Sequence, residues 1–246
     1  MLTIIDGNNF FRRLIEFDGK DARSVLNDFL TPRRETIVVW DGAKGSQRRR
    51  AVYPQYKTNR GPLDKDISVQ FNMIVAILAY CDVIQIFHPE YEGDDVVAML
   101  ARDYASKGRE VYIDSTDQDF LQIVGEYPKL VTARANPKVE PRLTKLYKIW
   151  IGDQSDKISG IPGFGQKTWD ETDISELERM TRKAIETGEI DDIGLPGRCK
   201  PTAELLRTLD EIISFYPVPL DEVMQNVVIG KPDYQRADAY LKEFLL

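Results

Sequence analysis

E-G-D-D-V-V-A-M-L-A-R-D-Y-A-S-K-G-R-E-V-Y-I-D-S-T-D-Q-D, residues 92–119, decides how this chain is read. Three carboxylates, Glu92, Asp94 and Asp95, stand where a helix should begin. Val96, Val97, Leu100 and Tyr104 then recur at helical spacing, and Lys107-Gly108 ends the run. A short strand, Val111-Tyr112-Ile113, follows and delivers Asp114, Asp117 and Asp119 just beyond its carboxyl end. In an open α/β sheet, ligands bind outside those ends. One helix–strand unit therefore carries several acids toward one crevice, where their repulsion raises each other's pKa unless something offsets it. A hard divalent cation is the simplest candidate. A blander reading stays open on this stretch alone: acids favour the positive end of a helix, and D-x-D is ordinary loop chemistry.

Upstream, Leu2 to Ile5 reads as a strand ending in Asp6-Gly7-Asn8-Asn9, and Thr36 to Trp40 as a buried strand ending in Asp41-Gly42. Val83 to Phe87 is a third strand. Helical spacing occurs in 21–30, through Val25, Leu26, Phe29 and Leu30, and in 67–80, through Phe71, Ile74, Val75, Leu78 and Ala79. Residues 44–60 differ in character: Lys44, Arg48, Arg49, Arg50, Lys57 and Arg60 occur with no acid, and Tyr53 and Tyr56 are interleaved. Such a segment attracts phosphates and offers rings to unpaired bases, or is simply a solvated loop. Following the second strand directly, it is expected over the acidic crevice.

Downstream, a helix begins at Phe120 and should stop at Gly125, while Leu130–Ala133 and Leu143–Tyr147 read as short strands. Asp153 and Asp156 are three apart and would share a face of a helix. Gly160, Gly163 and Gly165 form a tight turn, and a helix beginning near Gln166 would point its amides at a phosphate. Asp173 opens a capping pattern. Helices are expected over 174–187, 202–215 and 233–245, with 188–201 as a linker. The last helix carries an apolar stripe, Ala237, Tyr240, Leu241, Phe244 and Leu245, expected to pack on the protein's own core.

With 246 residues the chain can bury a large core. Two cysteines exclude a disulfide framework or a zinc pattern, and a single histidine excludes a His-rich centre. That residue, His88, reads as an ordinary surface or loop side chain. No signal peptide or membrane-length apolar run is present, which sets the expectation of a cytoplasmic protein without a membrane partner. The net charge of −7 argues against a plain basic nucleic-acid binder, unless many of its acids hold metal.

Taken together, about residues 1–170 resemble the 5′-nuclease superfamily of flap endonucleases and 5′→3′ exonucleases, most closely its bacterial and bacteriophage branch. The resemblance rests on Asp6 after the first strand, Val-Val-Trp-Asp41-Gly, and Tyr53-Pro-x-Tyr56-Lys57-x-Asn59-Arg60. Glu92-x-Asp94-Asp95, Asp117-x-Asp119, and Gly-Asp153-x-Ser-Asp156 before Gly160-x-Pro-Gly163-x-Gly165-x-Lys167 complete it. The chain departs from the family's pattern at Lys157, where asparagine is usual, at Ser159, where proline is common, and at Trp169, where a small residue is usual. The segment between Asp119 and Asp153 is also short.

The resemblance implies an α/β fold, with a central, mostly parallel sheet flanked by helices. Residues 1–148 would form the nuclease core with a basic arch at 44–66, and 149–246 a helix–three-turn–helix element and helical C-terminal region. It implies hydrolysis of DNA phosphodiester bonds at or near 5′ ends, flaps or nicks by a monomer, RNA–DNA hybrid being a further substrate. Asp6, Asp41, Glu92, Asp94 and Asp95 would surround one Mg2+, and Asp117, Asp119, Asp153 and Asp156 a second, with Mn2+ as a substitute. Asp94 and Asp119 would be essential to catalysis, and Lys57 and Arg60 would stabilise charge on the phosphate. Arg48, Arg49, Arg50, Tyr53, Tyr56, Gly160, Gly163, Gly165 and Lys167 would hold DNA, with K+ at the glycine hairpin. Two other readings are a PIN-like ribonuclease, which needs neither arch nor hairpin, and a non-catalytic module binding branched DNA. The module predicts missing acids, and none of the nine is substituted.

Overall fold

Leu2–Asp6 (β1) and Thr36–Trp40 (β2) are apolar on both faces, as strands covered by helices on both sides must be. The computed structural model describes residues 1–17, 29, 35–61 and 64–244. Among them, six strands form one sheet. Ile84–Phe87 (β3), Val111–Asp114 (β4), Val131–Ala133 (β5) and a later strand at 227–229 join the first two. The spatial order is β5-β4-β1-β2-β3 and then the strand at 227–229, which alone runs antiparallel. From β1 the chain builds outward through β2 and β3 on one side and β4 and β5 on the other. The topological switch point, where such sheets bind ligands, therefore lies between β1 and β4. Register places Ile5 opposite both Val38 and Asp114, so the acid-bearing ends of β1, β2 and β4 finish level.

The helix Gly93–Ser106 buries Val96, Val97, Ala98, Leu100, Ala101 and Ala105 and packs on β1 and β4, as its spacing predicts. Ile4, Ile5, Val38 and Ile113 are wholly buried. Each contributes about 1.5–3 kcal/mol relative to exposure, which fixes the strand ends against the helices. The helices Lys65–Leu78 and Tyr234–Phe244 pack together, close to the expected spans. Of the C-terminal stripe, Ala237 is buried and Tyr240 packs on the core, so the described part is core; the other three side chains lie outside the described residues. Of the spacing noted in 21–30, only Phe29 is described, and it is buried.

The chain divides into two compact units, 1–45 with 62–136 and 216–246, and 46–61 with 137–215. The second has its own core around Trp150, Phe164, Leu177, Met180, Leu206 and Leu209. Here the reading of Leu143–Tyr147 as a strand is corrected: Pro141–Leu143 is a 3-10 turn and Thr144–Ile151 a helix. Leu146, Ile149 and Trp150 are buried at helical spacing, a period too short to see within five residues. Gly125 likewise lies within a helix, Leu121–Glu126, rather than ending it. Asp153 and Asp156 do not share a helix. They flank a turn between Gly152–Asp153 (β6) and Ile158–Ser159 (β7), an antiparallel ribbon. The helices Ile174–Thr187 and Ala203–Ile213 match expectation, and Asp173 caps the first by accepting from the amides of Ser175 and Glu176. The final strand, 227–229, is β8.

Candidate metal centre and nucleic-acid interface

Asp6 closes β1 and opens the helix Gly7–Arg12, so its carboxylate faces the switch point. Its Oδ1 accepts from the Asn9 amide at 3.1 Å, and its Oδ2 from the Ser115 hydroxyl, beyond β4, at 2.8 Å. Burial pushes the Asp6 carboxyl up to about 7; the charges of Asp41 and Asp117 add to this, against the two hydrogen bonds. Asp41 accepts from the Gly93 amide at 2.8 Å, and its own amide donates to Asn8 Oδ1 at 2.9 Å. The end of β2 is thereby tied to the start of the helix carrying Glu92, Asp94 and Asp95. Asn9 Oδ1 holds the Thr116 amide and hydroxyl, both at 3.1 Å. Asp117 caps the next turn by accepting from the Asp119 amide at 2.9 Å. Glu92 is buried and Asp94 half-buried, while Asp95 is buried and accepts from the Tyr216 amide at 2.8 Å. The sequence reading missed Asn8, Asn9 and Ser115, because nothing in a single asparagine or serine marks it as the clamp of an acid.

Asp114, at the same edge, is neutralised separately by Arg134, whose Nε and Nη2 lie 2.6 and 3.1 Å from its oxygens. That leaves Asp6, Asp41 and Asp117 in one another's field. Hard oxygen donors with a raised pKa fit a divalent cation, which would favour their charged forms. A pH dependence follows. The raised Asp6 pKa supplies stability that is complete below its ordinary value of 3.8 and is lost as pH climbs toward 7. With chelator present, the melting temperature is expected to fall over that window, and magnesium at neutral pH to restore it by binding the folded state. Melting curves indifferent to both pH and magnesium would contradict the mutual field of these acids.

In the second unit, burial works to raise the Asp153 pKa, but Lys148 and Ser155 outweigh it and bring the carboxyl down to about 2. Lys148 Nζ lies 2.7 Å from Asp153, and the Ser155 amide and hydroxyl donate at 2.9 and 2.5 Å. Lys148 is itself buried and was missed by the sequence reading; the helix it rides was taken for a strand. Asp156 is buried. Its carbonyl accepts from the Lys57 amide at 2.9 Å, Arg60 Nη2 lies 2.5 Å from Oδ1, and Lys57 Nζ lies 3.9 Å from Oδ2. Asn59 donates to the Ser155 carbonyl at 3.1 Å, and the Ser159 amide to the Tyr53 hydroxyl at 3.4 Å. The Tyr-Lys-x-Asn-Arg segment is thus stapled along the turn that carries Asp153 and Asp156. Lys57 sits at φ +53°, with its ammonium 4.9 Å over the Tyr56 ring.

Two side chains expected to contact DNA are placed otherwise. Arg49 is buried, and its guanidinium donates to the carbonyls of Ile212 and Ser214 at 3.0 and 2.8 Å, satisfying the end of the helix Ala203–Ile213. Tyr56 is buried in the same core, so its ring is not offered to a base. Arg48 and Arg50 are exposed, Tyr53 is half-buried and Lys167 is exposed. His88 is corrected too. It lies in a loop, but is buried against Tyr91, accepts from the Glu90 amide at 3.3 Å, and has Nε2 3.3 Å from Glu222.

The glycine hairpin closes at Gly163 with φ +77°, and Gly165 precedes the helix Gln166–Glu171, which starts where expected. Lys157 stands at φ +60°, a left-handed conformation in which asparagine is favoured, which accounts for the family's usual residue there. Trp169 fills the second core edge-on to Tyr147, with ring centroids 5.0 Å apart.

The family described as 5′-3′ exonuclease, N-terminal resolvase-like domain, matches residues 21–147. The chain is 29% identical to a 5′-3′ exonuclease of Aquifex aeolicus over 218 residues, 84% of this chain and 74% of that protein. It is 31% identical to the thermostable DNA polymerase I of Thermus aquaticus over 157 residues, 60% of this chain. The match spans 19% of that polymerase's length. Among solved structures, T5 5′-exonuclease with bound divalent zinc aligns with a TM-score of 0.55 at 20% identity, covering 99% of this chain and 98% of that one. The T5 flap endonuclease in complex with DNA and metal ions aligns at 0.50 and 18%, covering 99% and 97%. These likenesses are of fold.

Proposed function

We propose a reaction from the premise that this chain belongs to the 5′-3′ exonuclease family. It is a 5′ nuclease of the exonuclease and flap-endonuclease kind, and its reaction is hydrolysis of DNA phosphodiester bonds at or near 5′ ends, aided by divalent metal. The observation that carries the chemistry is Asp6: a buried carboxylate at the switch point, its pKa pushed up by burial and by Asp41 and Asp117. Asp6, Asp41, Glu92, Asp94 and Asp95 are proposed to hold one Mg2+, and Asp117, Asp119, Asp153 and Asp156 a second, with Mn2+ as a substitute. When bound, such ions lower the pKa of the attacking water and clamp the attacking and leaving oxygens.

The chain's own residues do the rest. Asn8, Asn9 and Ser115 hold Asp6, Asp41 and the loop after β4 in place, so that no reorganisation is needed when charge develops. Lys57 and Arg60 are proposed to stabilise negative charge on the scissile phosphate. Arg48, Arg50, Tyr53, Lys167 and the hairpin of Gly160, Gly163 and Gly165 are proposed to hold duplex and 5′ strand. The potassium ion implied at that hairpin is a separate matter, because the Gly163 carbonyl already accepts from Arg198. No helix of the described residues is long and apolar enough to cross a membrane. A monomer is the proposed working form.

The test is competition among a 5′-flap DNA, the corresponding blunt duplex and a single-stranded RNA, with magnesium. Preferred cleavage of flap DNA, leaving 5′-phosphate, is expected. Preference for the RNA would favour a PIN-like ribonuclease, and binding without cleavage would favour a non-catalytic module.

A further inference from the structure

Residues 188–201 read as a linker, yet their end is bound to the glycine hairpin. Lys200 donates its amide to the Pro162 carbonyl at 3.2 Å. Arg198 Nε donates to the Gly163 carbonyl at 3.1 Å, and its Nη2 to the Thr168 hydroxyl at 3.1 Å. The Cys199 thiol donates to the same Gly163 carbonyl at 3.4 Å. The backbones meet so closely that a Cβ on Gly163 would lie 2.2 Å from the Arg198 carbonyl oxygen. The remaining hairpin carbonyls are also engaged: Ile161 accepts from Phe164 and Gly165 from Trp169, each at 3.0 Å.

A carbonyl oxygen has two lone pairs, and both of Gly163's have donors, one of them a guanidinium. An external cation would have to displace a charge-assisted hydrogen bond to coordinate there. The hairpin carbonyls therefore do not fit a bound potassium ion. A guanidinium beside the turn supplies the same positive charge permanently, with a planar fork that bridges hairpin and helix.

We propose that the 196–200 strap supplies the hairpin's own cation: Arg198, held between the Gly163 carbonyl and the Thr168 hydroxyl, is a positioning residue for duplex binding, and this binding needs no potassium. The proposal rests on the reading of the hairpin as the duplex-holding element. Arg198 acts by fixing the hairpin's shape and sign of charge. It has no part in bond cleavage, so its loss should raise KM and leave kcat unchanged.

The experiment compares KM and kcat for a 5′-flap DNA in potassium chloride and in tetramethylammonium chloride at equal ionic strength. The wild type should change by less than about twofold, since both salts screen phosphates alike. Arg198→Ala should raise KM on the order of tenfold in tetramethylammonium, the scale of a lost charged hydrogen bond. Potassium should recover much of that loss, which a merely structural defect would not allow. A wild type that itself loses about tenfold without potassium, or an Arg198→Ala with unchanged KM, overturns the proposal. Should Arg198→Ala fail to fold, the wild-type ion exchange decides alone. Gly165→Glu separates the premise from the proposal. A Cβ there meets nothing within 4 Å, so the variant should fold while placing a carboxylate where phosphate would come. A wild-type KM in Gly165→Glu would overturn the hairpin reading, and the proposal with it.

Discussion

Asp6→Asn is expected to lower single-turnover cleavage of a 5′-flap DNA by at least about 10³, while binding of the same DNA in calcium stays close to wild type. The side chain ends the central strand at the switch point, accepts from Asn9 and Ser115, and lies in the field of Asp41 and Asp117. Asparagine keeps the volume and an acceptor, so the loop after β4 should hold its place. What is lost is one negative charge from a metal-binding set. The same variant should be more stable than the wild type in chelator at neutral pH, because a buried carboxylate that resists ionisation is gone. Gain of stability with loss of activity is the signature of a functional ligand. A variant with reduced stability and retained cleavage would make Asp6 a structural acid, satisfied by its two hydrogen bonds.

Lys57→Met is expected to slow the single-turnover step by about 10²–10³, the scale of a positioned electrostatic donor, with a modest change in flap affinity. Methionine keeps a stem against the Tyr56 ring and removes only the ammonium. The rival account is that Lys57, with Arg60, merely neutralises the buried Asp156. That account predicts a lower melting temperature with turnover largely kept, since an unpaired buried acid is costly. Lys44→Ala is the control. Lys44 is exposed and pairs with Glu90 at 2.9 Å, so its loss should act only through salt-dependent binding. Equal and small rate losses in Lys57→Met and Lys44→Ala would show that the basic segment attracts DNA and nothing more.

The parallel strands, the helix after Glu92 and the gathering of acids at one sheet edge were all legible in the sequence. Each is a local signal: runs of β-branched residues, apolar spacing near 3.6, and an acid directly after a strand. Parallel pairing then makes the ends level, as Ile5 opposite Val38 and Asp114 confirms. Signals shorter than their own period failed. Leu143–Tyr147 passed for a strand because one helical turn and two strand repeats look alike over five residues.

What only the tertiary structure decided is which polar side chains spend their charge on the protein itself. Six cations in 44–60 are equivalent as sequence, yet Arg49 is consumed by the carbonyls of Ile212 and Ser214, far along the chain, while Arg48 and Arg50 face solvent. Lys148 pairs with Asp153, Arg134 with Asp114, and Arg198 with the Gly163 carbonyl. Periodicity reports which face of an element a residue occupies, because that depends on its own backbone alone. It carries no information about what another element brings against that face. The partner of a buried charge is set by long-range packing, and with it whether that charge remains for metal and phosphate.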